Sequence, residues 1–255
     1  MTDSTTSEVQ LLAQADLLLL VADLLRAPAE SGATIDDKNR DGRCAFPSCD
    51  DLTELLAAAR LPCSEPLSTA LRAALSLAHN LSPDRWSDEY HRLFEGPLVC
   101  SPNETTYIRR DKGALIADIN GFYLAFGFAC RQSTGEKPDH LLCQLEFIAL
   151  LLVMIAAAVR HDAPEKEEVA RRALFSFADS HLGDWLASFC HRLLATTTVD
   201  LYSAAAAALL QLWQSLVQAH HLPEPAAMRL SPEEEPPSPC ECAMVPPATA
   251  AEEHP

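Results

Sequence analysis

Glycine is scarce in this chain, 8 in 255 residues, and the loops that glycine builds are scarce with it. There is no phosphate-cradling glycine loop, no G-x-S-x-G around a serine and no H-E-x-x-H pair for zinc. The common signatures of nucleotide, hydrolase and metalloprotease chemistry are therefore excluded. Positive charge is also short. Nineteen Lys and Arg face 36 Asp and Glu, a net charge of −17, whereas a nucleic-acid binder needs basic patches for the phosphates. The same acidity suits a cationic partner. The opening MTDSTTSEVQ has neither the basic nor the apolar region of a secretory signal, so a cytoplasmic location is expected. Few β-branched alternations occur beside many Leu and Ala, which points to an all-α fold. No internal repeat of fixed period is visible.

What the chain does have is one long apolar stretch, 137–160, KPDHLLCQLEFIALLLVMIAAAVR. Pro138 suits a first helical position and Asp139 the positive end of the helix dipole. Leu141, Leu145, Ile148, Leu152, Ile155 and Val159 recur at steps of four and three, and Leu142, Ala149, Leu150, Val153 and Ala156 fill most of the remaining circumference. A helix apolar nearly all round is a buried one. Gln144 and Glu146 inside a marginally long run argue against a membrane span. The stretch reads as the central helix, 138–160, of a single helical domain of about nine helices, with its polar start, Pro138-Asp139-His140, facing a surface or groove.

The other elements follow from caps and breakers. Residues 1–7 read as disordered. Ser7 and Gln10 make a capping box for a helix to about Arg26, with Val9, Leu12, Leu19 and Ala22 as its apolar stripe. Helices are predicted near 50–60, 66–79, 83–95, 112–127, 164–182, 183–195 and 199–220, bringing the folded domain to 8–221. Residues 222–255, rich in Pro and Glu, read as a disordered tail. The polar loop 29–49 contains Asp37-Lys38-Asn39-Arg40-Asp41-Gly42, the first half of a calcium loop. Its twelfth position is Ser48, where a bidentate glutamate is required, so it reads as a solvated turn. Nine cysteines are scattered and mostly read as small core residues. Cys240-Glu241-Cys242 is half a metal site at best, and no metal or cofactor is expected. His161, His181, His191, His220 and His221 read as helix-end residues without a second ligand.

Three stretches are unusual for a plain bundle. Glu89-Tyr90-His91-Arg92-Leu93-Phe94-Glu95-Gly96-Pro97 is an aromatic-rich helix end stopped abruptly. Lys137-Pro138-Asp139-His140-Leu141 leads into Gln144-Leu145-Glu146-Phe147. His181, Trp185 and Phe189 lie at i, i+4, i+8, with Tyr202 on the next helix. Taken singly, each has a structural explanation: core aromatics at helical spacing, and Glu146 as a buried acid paired with Arg85 or Arg92.

In this order and spacing they resemble the TorD/DmsD/NarJ family of redox-enzyme maturation chaperones, over roughly residues 8–220. The resemblance implies an all-helical, cytoplasmic, non-catalytic protein. Such a protein binds the twin-arginine signal peptide, or another N-terminal stretch, of a molybdopterin oxidoreductase and holds the apoenzyme until its cofactor is inserted. It further implies a peptide-binding groove containing Tyr90, Leu93, Phe94, Pro138, Asp139 and His140, supported by Glu146, His181, Trp185, Phe189 and Tyr202. The physics is compatible: Leu93 and Phe94 would line an apolar groove, Asp139 would meet an arginine, and the acidic field would steer a basic peptide. A permanent helical subunit or small-molecule-sensing regulator of a redox enzyme, with a ligand cavity beside 138–160, is the alternative. A hydrolase built on His140 and Asp139 lacks a placed nucleophile. The 129–137 connection is long enough for a domain-swapped homodimer.

Overall fold

The structure, a computed structural model, describes residues 3–27, 46–62, 64–95, 99–130 and 137–223. The predicted tail from 224 onward, the calcium-like hexapeptide, Gly96-Pro97 and Cys240/Cys242 lie outside the described residues, while Leu222, expected to open the tail, is buried. Among those described, nine α-helices follow in order: α1 (Asp3–Leu25), α2 (Cys49–Ala59), α3 (Ser64–Asn80), α4 (Pro83–Phe94), α5 (Lys112–Ala125), α6 (Leu141–Arg160), α7 (Pro164–Phe177), α8 (Gly183–Thr196) and α9 (Asp200–His220). The protein is all-α, as the composition predicted. Its one extended contact among these residues is an isolated antiparallel bridge between Asn103 and His140.

Local chemistry sets most boundaries. Ser48, the residue that breaks the calcium-loop pattern, caps α2: its Oγ accepts from Asp51 N at 3.2 Å while Asp51 Oδ2 accepts from Ser48 N at 3.0 Å. Ser82 caps α4 ahead of Pro83 at the first turn. Asp111 caps α5 by accepting from Ala114 N at 2.7 Å. Helix α1 starts at Asp3, so the segment expected to be disordered is partly helical and Ser7 lies within the helix rather than at its cap.

Helix α6 is the organising element, with α1 and α7 packed along it while α3 and α8 pack on α9. Leu141, Leu145, Ile148, Leu152 and Ile155 are all buried. The helix is 20 residues long with mean hydropathy 2.4, enough by length and composition to cross a membrane, but 67 % of the window is buried inside the protein. Its start differs from the prediction. Pro138 and Asp139 form a turn, and His140 is the cap, its Nδ1 accepting from Leu142 N at 3.2 Å. Asp139 is recruited elsewhere, by groups far away in sequence, so the helix dipole does not hold it.

α7 and α8 are joined through a wide π-turn, 178–182, without a break. Gly183 permits this. A Cβ there would lie 2.4 Å from the Ala178 carbonyl oxygen, inside any tolerable contact. The wide turn carries His181 into the interior, fully buried.

The stripe expected to bury α1 is partly reversed. Val9, Leu12 and Leu19 are 51 %, 36 % and 40 % exposed, while Leu11, Leu17, Leu18, Val21, Leu24 and Leu25 form the core face. Of the described cysteines, Cys100, Cys143 and Cys190 are buried and Cys49 is exposed. Burial pushes the Cys100 thiol up to about 11 and the Cys190 thiol higher still.

Candidate functional site: an aromatic recess at the start of the central helix

The last turn of α4 places Tyr90 and Phe94 one above the other, at i and i+4. Their rings meet edge to face with centroids 5.2 Å apart. Phe94 also stacks on Phe189 of α8 at 6.3 Å and meets Tyr202 of α9 edge-on at 5.6 Å. Against this aromatic wall stand His140, Leu141 and Leu142 from the start of α6, Leu25 from the end of α1, and Pro102. Together they line a small, part-open recess with about 10 Å³ of free space, room for about one water. Tyr90 and Phe94 are each 8 % exposed, so they show an edge to the opening rather than a face. Four helices and a loop distant in sequence thus converge on one apolar cleft.

Of the six predicted groove residues, Tyr90, Phe94 and His140 line this recess. Leu93 does not: it points to the core and is fully buried. Pro138 is half-buried, its carbonyl accepting from the Tyr123 hydroxyl at 2.9 Å. Asp139 corrects the expectation of an exposed acid. It is fully buried; Oδ1 accepts from Asn103 Nδ2 at 3.2 Å, and Oδ2 accepts from Thr105 N at 3.2 Å and Thr105 Oγ1 at 2.7 Å. With its lone pairs engaged and no access to solvent, Asp139 cannot take an arginine from outside. It ties the 101–107 loop to the start of α6, helped by Leu141 N donating to Pro102 O at 2.7 Å.

Behind the recess lies a buried polar chain that the sequence did not announce. Glu104 accepts from Gln144 Nε2 at 2.5 Å, and its other oxygen lies 3.1 Å from His181 Nδ1. Trp185 Nε1 donates to Gln144 Oε1 at 3.1 Å. His181 Nε2 is 3.4 Å from Asp118 Oδ2, a second carboxylate on the same ring. Glu104, Gln144, His181 and Trp185 are all fully buried. His181 is therefore no water-facing helix end, and the network fastens the loop, α5, α6 and the π-turn together. Glu104 could not be found from local pattern, since SPNETT reads as ordinary loop; a carboxylate's burial is settled by distant partners.

Glu146 is also corrected. Its partner is Arg26 at the end of α1, not Arg85 or Arg92. Arg92 instead pairs with Glu89, donating to both carboxylate oxygens at 2.7 Å. Glu89 also accepts from Thr197 Oγ1, Thr198 N and Thr198 Oγ1 at 2.9, 2.7 and 3.0 Å, which moors α4 to the α8–α9 connection. Burial alone would raise this carboxyl, but the Arg92, Thr198 and Thr197 donors outweigh it and hold the group down to about 2. Burial lowers His140 to about 4, against the opposing pull of Asp139 and with the help of Arg26. The recess is thus lined by a neutral imidazole at ordinary pH.

Among the described residues no group of three or more His, Cys, Asp or Glu is arranged to hold a metal ion. A second recess, with about 170 Å³ of free space, lies between Leu77, Asn80, Arg85, Val199 and Asp200, and no residue of α6 lines it.

Residues 62–191, just over half of the chain, match the family described as "Nitrate reductase delta subunit". The chain is 37 % identical over 109 residues to the selenate reductase assembly chaperone protein of Thauera selenatis, which is 43 % of this chain and 52 % of that one. It is 36 % identical over 91 residues to the chlorate reductase assembly chaperone protein of Ideonella dechloratans (35 % and 45 %). It is 37 % identical over 82 residues to the chaperone protein TorD of Vibrio cholerae (32 % and 36 %). The matched region spans about half or less of each of these relatives. No solved structure matches the chain.

Proposed function

Because the chain belongs to the nitrate reductase delta subunit family, that of the TorD- and NarJ-type chaperones, we propose that it is a cytoplasmic, non-catalytic maturation chaperone. Its client is the apo form of a molybdopterin oxidoreductase catalytic subunit, held through an N-terminal signal segment until cofactor insertion. The molybdenum cofactor is the client's, and this chain holds none. The aromatic recess carries the reading: Tyr90, Phe94, His140 and Phe189 are gathered from three helices into an apolar cleft, on a chain with a net charge of −17. A signal segment offers the complementary chemistry, a basic stretch followed by an apolar one.

The size of the recess separates this reading from its rival. Small-molecule sites usually enclose about 300–1,000 Å³, whereas the free space beside α6 is only about 10 Å³. It is too small for an enclosed small-molecule site and offers a peptide an apolar surface rather than a deep pocket. Each such side chain contributes about 1.5–3 kcal/mol when buried, whereas an exposed ion pair gives about 0.2–1 kcal/mol. Apolar contacts should dominate affinity, with charge acting mainly on the association rate.

The test is calorimetric titration of the full chain with a synthetic peptide carrying an arginine pair followed by a leucine-rich stretch. Replacing two leucines by glutamine should weaken binding more than replacing both arginines by lysine, and Tyr90→Ala should weaken it without altering the peptide's ranking. A costlier arginine change at physiological salt, with Tyr90→Ala neutral, would mean that the recess is not the binding element.

A further inference from the structure

The recess ends at Leu25, where α1 runs alongside α6. Ion pairs tie α1 to α6 at both ends of their packed length, Arg26 to Glu146 and Glu8 to Arg160 (3.1 Å), which fixes the helices as antiparallel. Between those anchors the sequence places two parallel stripes. On α1 the positions 8, 12, 15, 19, 22 and 26 advance by alternating steps of four and three; on α6 the positions 146, 150, 153, 157 and 160 do the same. Residues so spaced share one line along a helix, and each line ends in the residues that bridge to the other helix. Both lines therefore border the same seam.

The occupants of these lines leave a furrow. Leu12 and Leu19 on one bank are 36 % and 40 % exposed, and Val153 on the other is 40 % exposed, with Leu150 half-buried and Ala157 exposed. The intervening Ala15 and Ala22 are buried, and their short side chains keep the floor low. From Glu8 to Arg26 the furrow runs about 27 Å, the length of about 18 helical residues. Asp16 stands at mid-length, on the rim between Leu12 and Leu19. It is exposed and makes no hydrogen bond or ion pair with the described residues. Its apolar neighbours raise its carboxyl above the usual range by desolvation. A cation laid over it would relieve that cost.

We propose that the α1–α6 seam is the bed for an apolar helical stretch of the client's segment, bearing a lysine or arginine opposite Asp16 and continuous with the part held in the recess. This deepens the chaperone reading and rests on it. The charge pattern selects this occupant over a second copy, since two chains of net charge −17 would bring two unpaired Asp16 carboxylates to one contact. A third helix in the seam of two others is the ordinary helix-in-groove mode, with anchors at i, i+3, i+4 and i+7.

The probe is a fluorescein-labelled peptide: an arginine pair, then an 18-residue helix with a leucine stripe and one central lysine beside it. A partner peptide carries glutamate in place of that lysine. Anisotropy titrations use the full chain, and circular dichroism melts confirm that Asp16→Lys and Val153→Glu, both at exposed positions, leave the fold intact. Asp16→Lys should weaken the lysine peptide by about three- to tenfold and reverse the preference between the two peptides. Val153→Glu should weaken both by about tenfold or more. If both seam variants bind like the wild type while Tyr90→Ala loses affinity, the recess reading stands and the seam proposal is overturned. If the peptide fails to bind the wild type, both fall together. If sedimentation shows a dimer that Val153→Glu dissociates, the seam is a contact between copies and the proposal is likewise overturned.

Discussion

Glu104→Ala is the perturbation that most sharply tests how the site is held. The carboxylate lies in the interior, accepting from Gln144 at 2.5 Å and facing His181 at 3.1 Å. Truncation leaves the Gln144 amide and the His181 ring nitrogen without this partner where water does not reach, and loosens the Gln144 side chain that accepts from Trp185. Removing a buried acceptor strands two partners at once, at about 1–3 kcal/mol each, about 3–5 kcal/mol together. Total stability is about 5–15 kcal/mol for an ordinary domain, so the loss is a large share of it. In a domain of this size each kcal/mol moves Tm by about 2–4 °C, which gives a drop of about 6–20 °C. Urea unfolding read by tryptophan fluorescence and far-UV dichroism measures it. Glu104→Gln, which keeps the shape and one acceptor, should cost less. Glu104→Ala with His181→Ala should cost less than the two separately, by about 0.5–3 kcal/mol. If Glu104→Ala changes stability by less than about 0.5 kcal/mol, the size of an ordinary surface change, the carboxylate is not structural and the description of the network is wrong.

Three further outcomes follow from the same geometry. Glu89→Ala strands the Thr198 N–H and the Arg92 guanidinium together, so it should cost about 2–4 kcal/mol in a chemical melt; a neutral result would mean that α4 is not moored through it. Burial holds His220 and His140 neutral down to about 4, below their ordinary range. The unfolded chain then binds more protons as pH falls from about 6.5 to 4, so stability should decline over that window by up to about 1.4 kcal/mol per pH unit for each histidine, less for half-buried His140. His220→Gln should flatten the profile, and an unchanged slope would remove His220 from the account. Deleting residues 224–255, a segment poor in large apolar groups, should leave Tm within a few degrees and peptide affinity unchanged, and loss of either would give the tail a role.

The sequence carried the helices because their signals are local. Leu141, Leu145, Ile148, Leu152 and Ile155 mark a core stripe that periodicity alone identifies, and Ser82-Pro83 announces a helix start. Tyr90 and Phe94 were legible as neighbours for the same reason. What local pattern misplaces is the hydrogen-bond and ion-pair partner of each buried acid. Asp139 looked like a dipole-stabilised surface acid, but its hydrogen bonds come from Asn103 and Thr105, more than thirty residues away. Glu146 was matched to arginines of the wrong helix, with Arg26 bridging instead from α1. On α1 the apolar residues cover so much of the circumference that two stripes compete. Periodicity had no means of choosing between the one through Leu12 and Leu19 and the one through Leu11, Leu18 and Leu25. Packing against α6 decides it. The Glu104 chain was invisible because its members come from a loop, a helix and a π-turn, united only by the fold.

The central claim is that the aromatic recess grips the apolar part of a client's N-terminal segment, and photo-crosslinking tests it most directly. The arginine-pair peptide, with photo-leucine at its apolar positions, is irradiated in complex with the full chain, and the adducts are mapped by mass spectrometry. The account predicts adducts on Tyr90, Phe94, His140, Leu142 and Phe189. Adducts confined instead to the recess between Leu77, Arg85 and Val199, with the aromatic wall unlabelled, would contradict it.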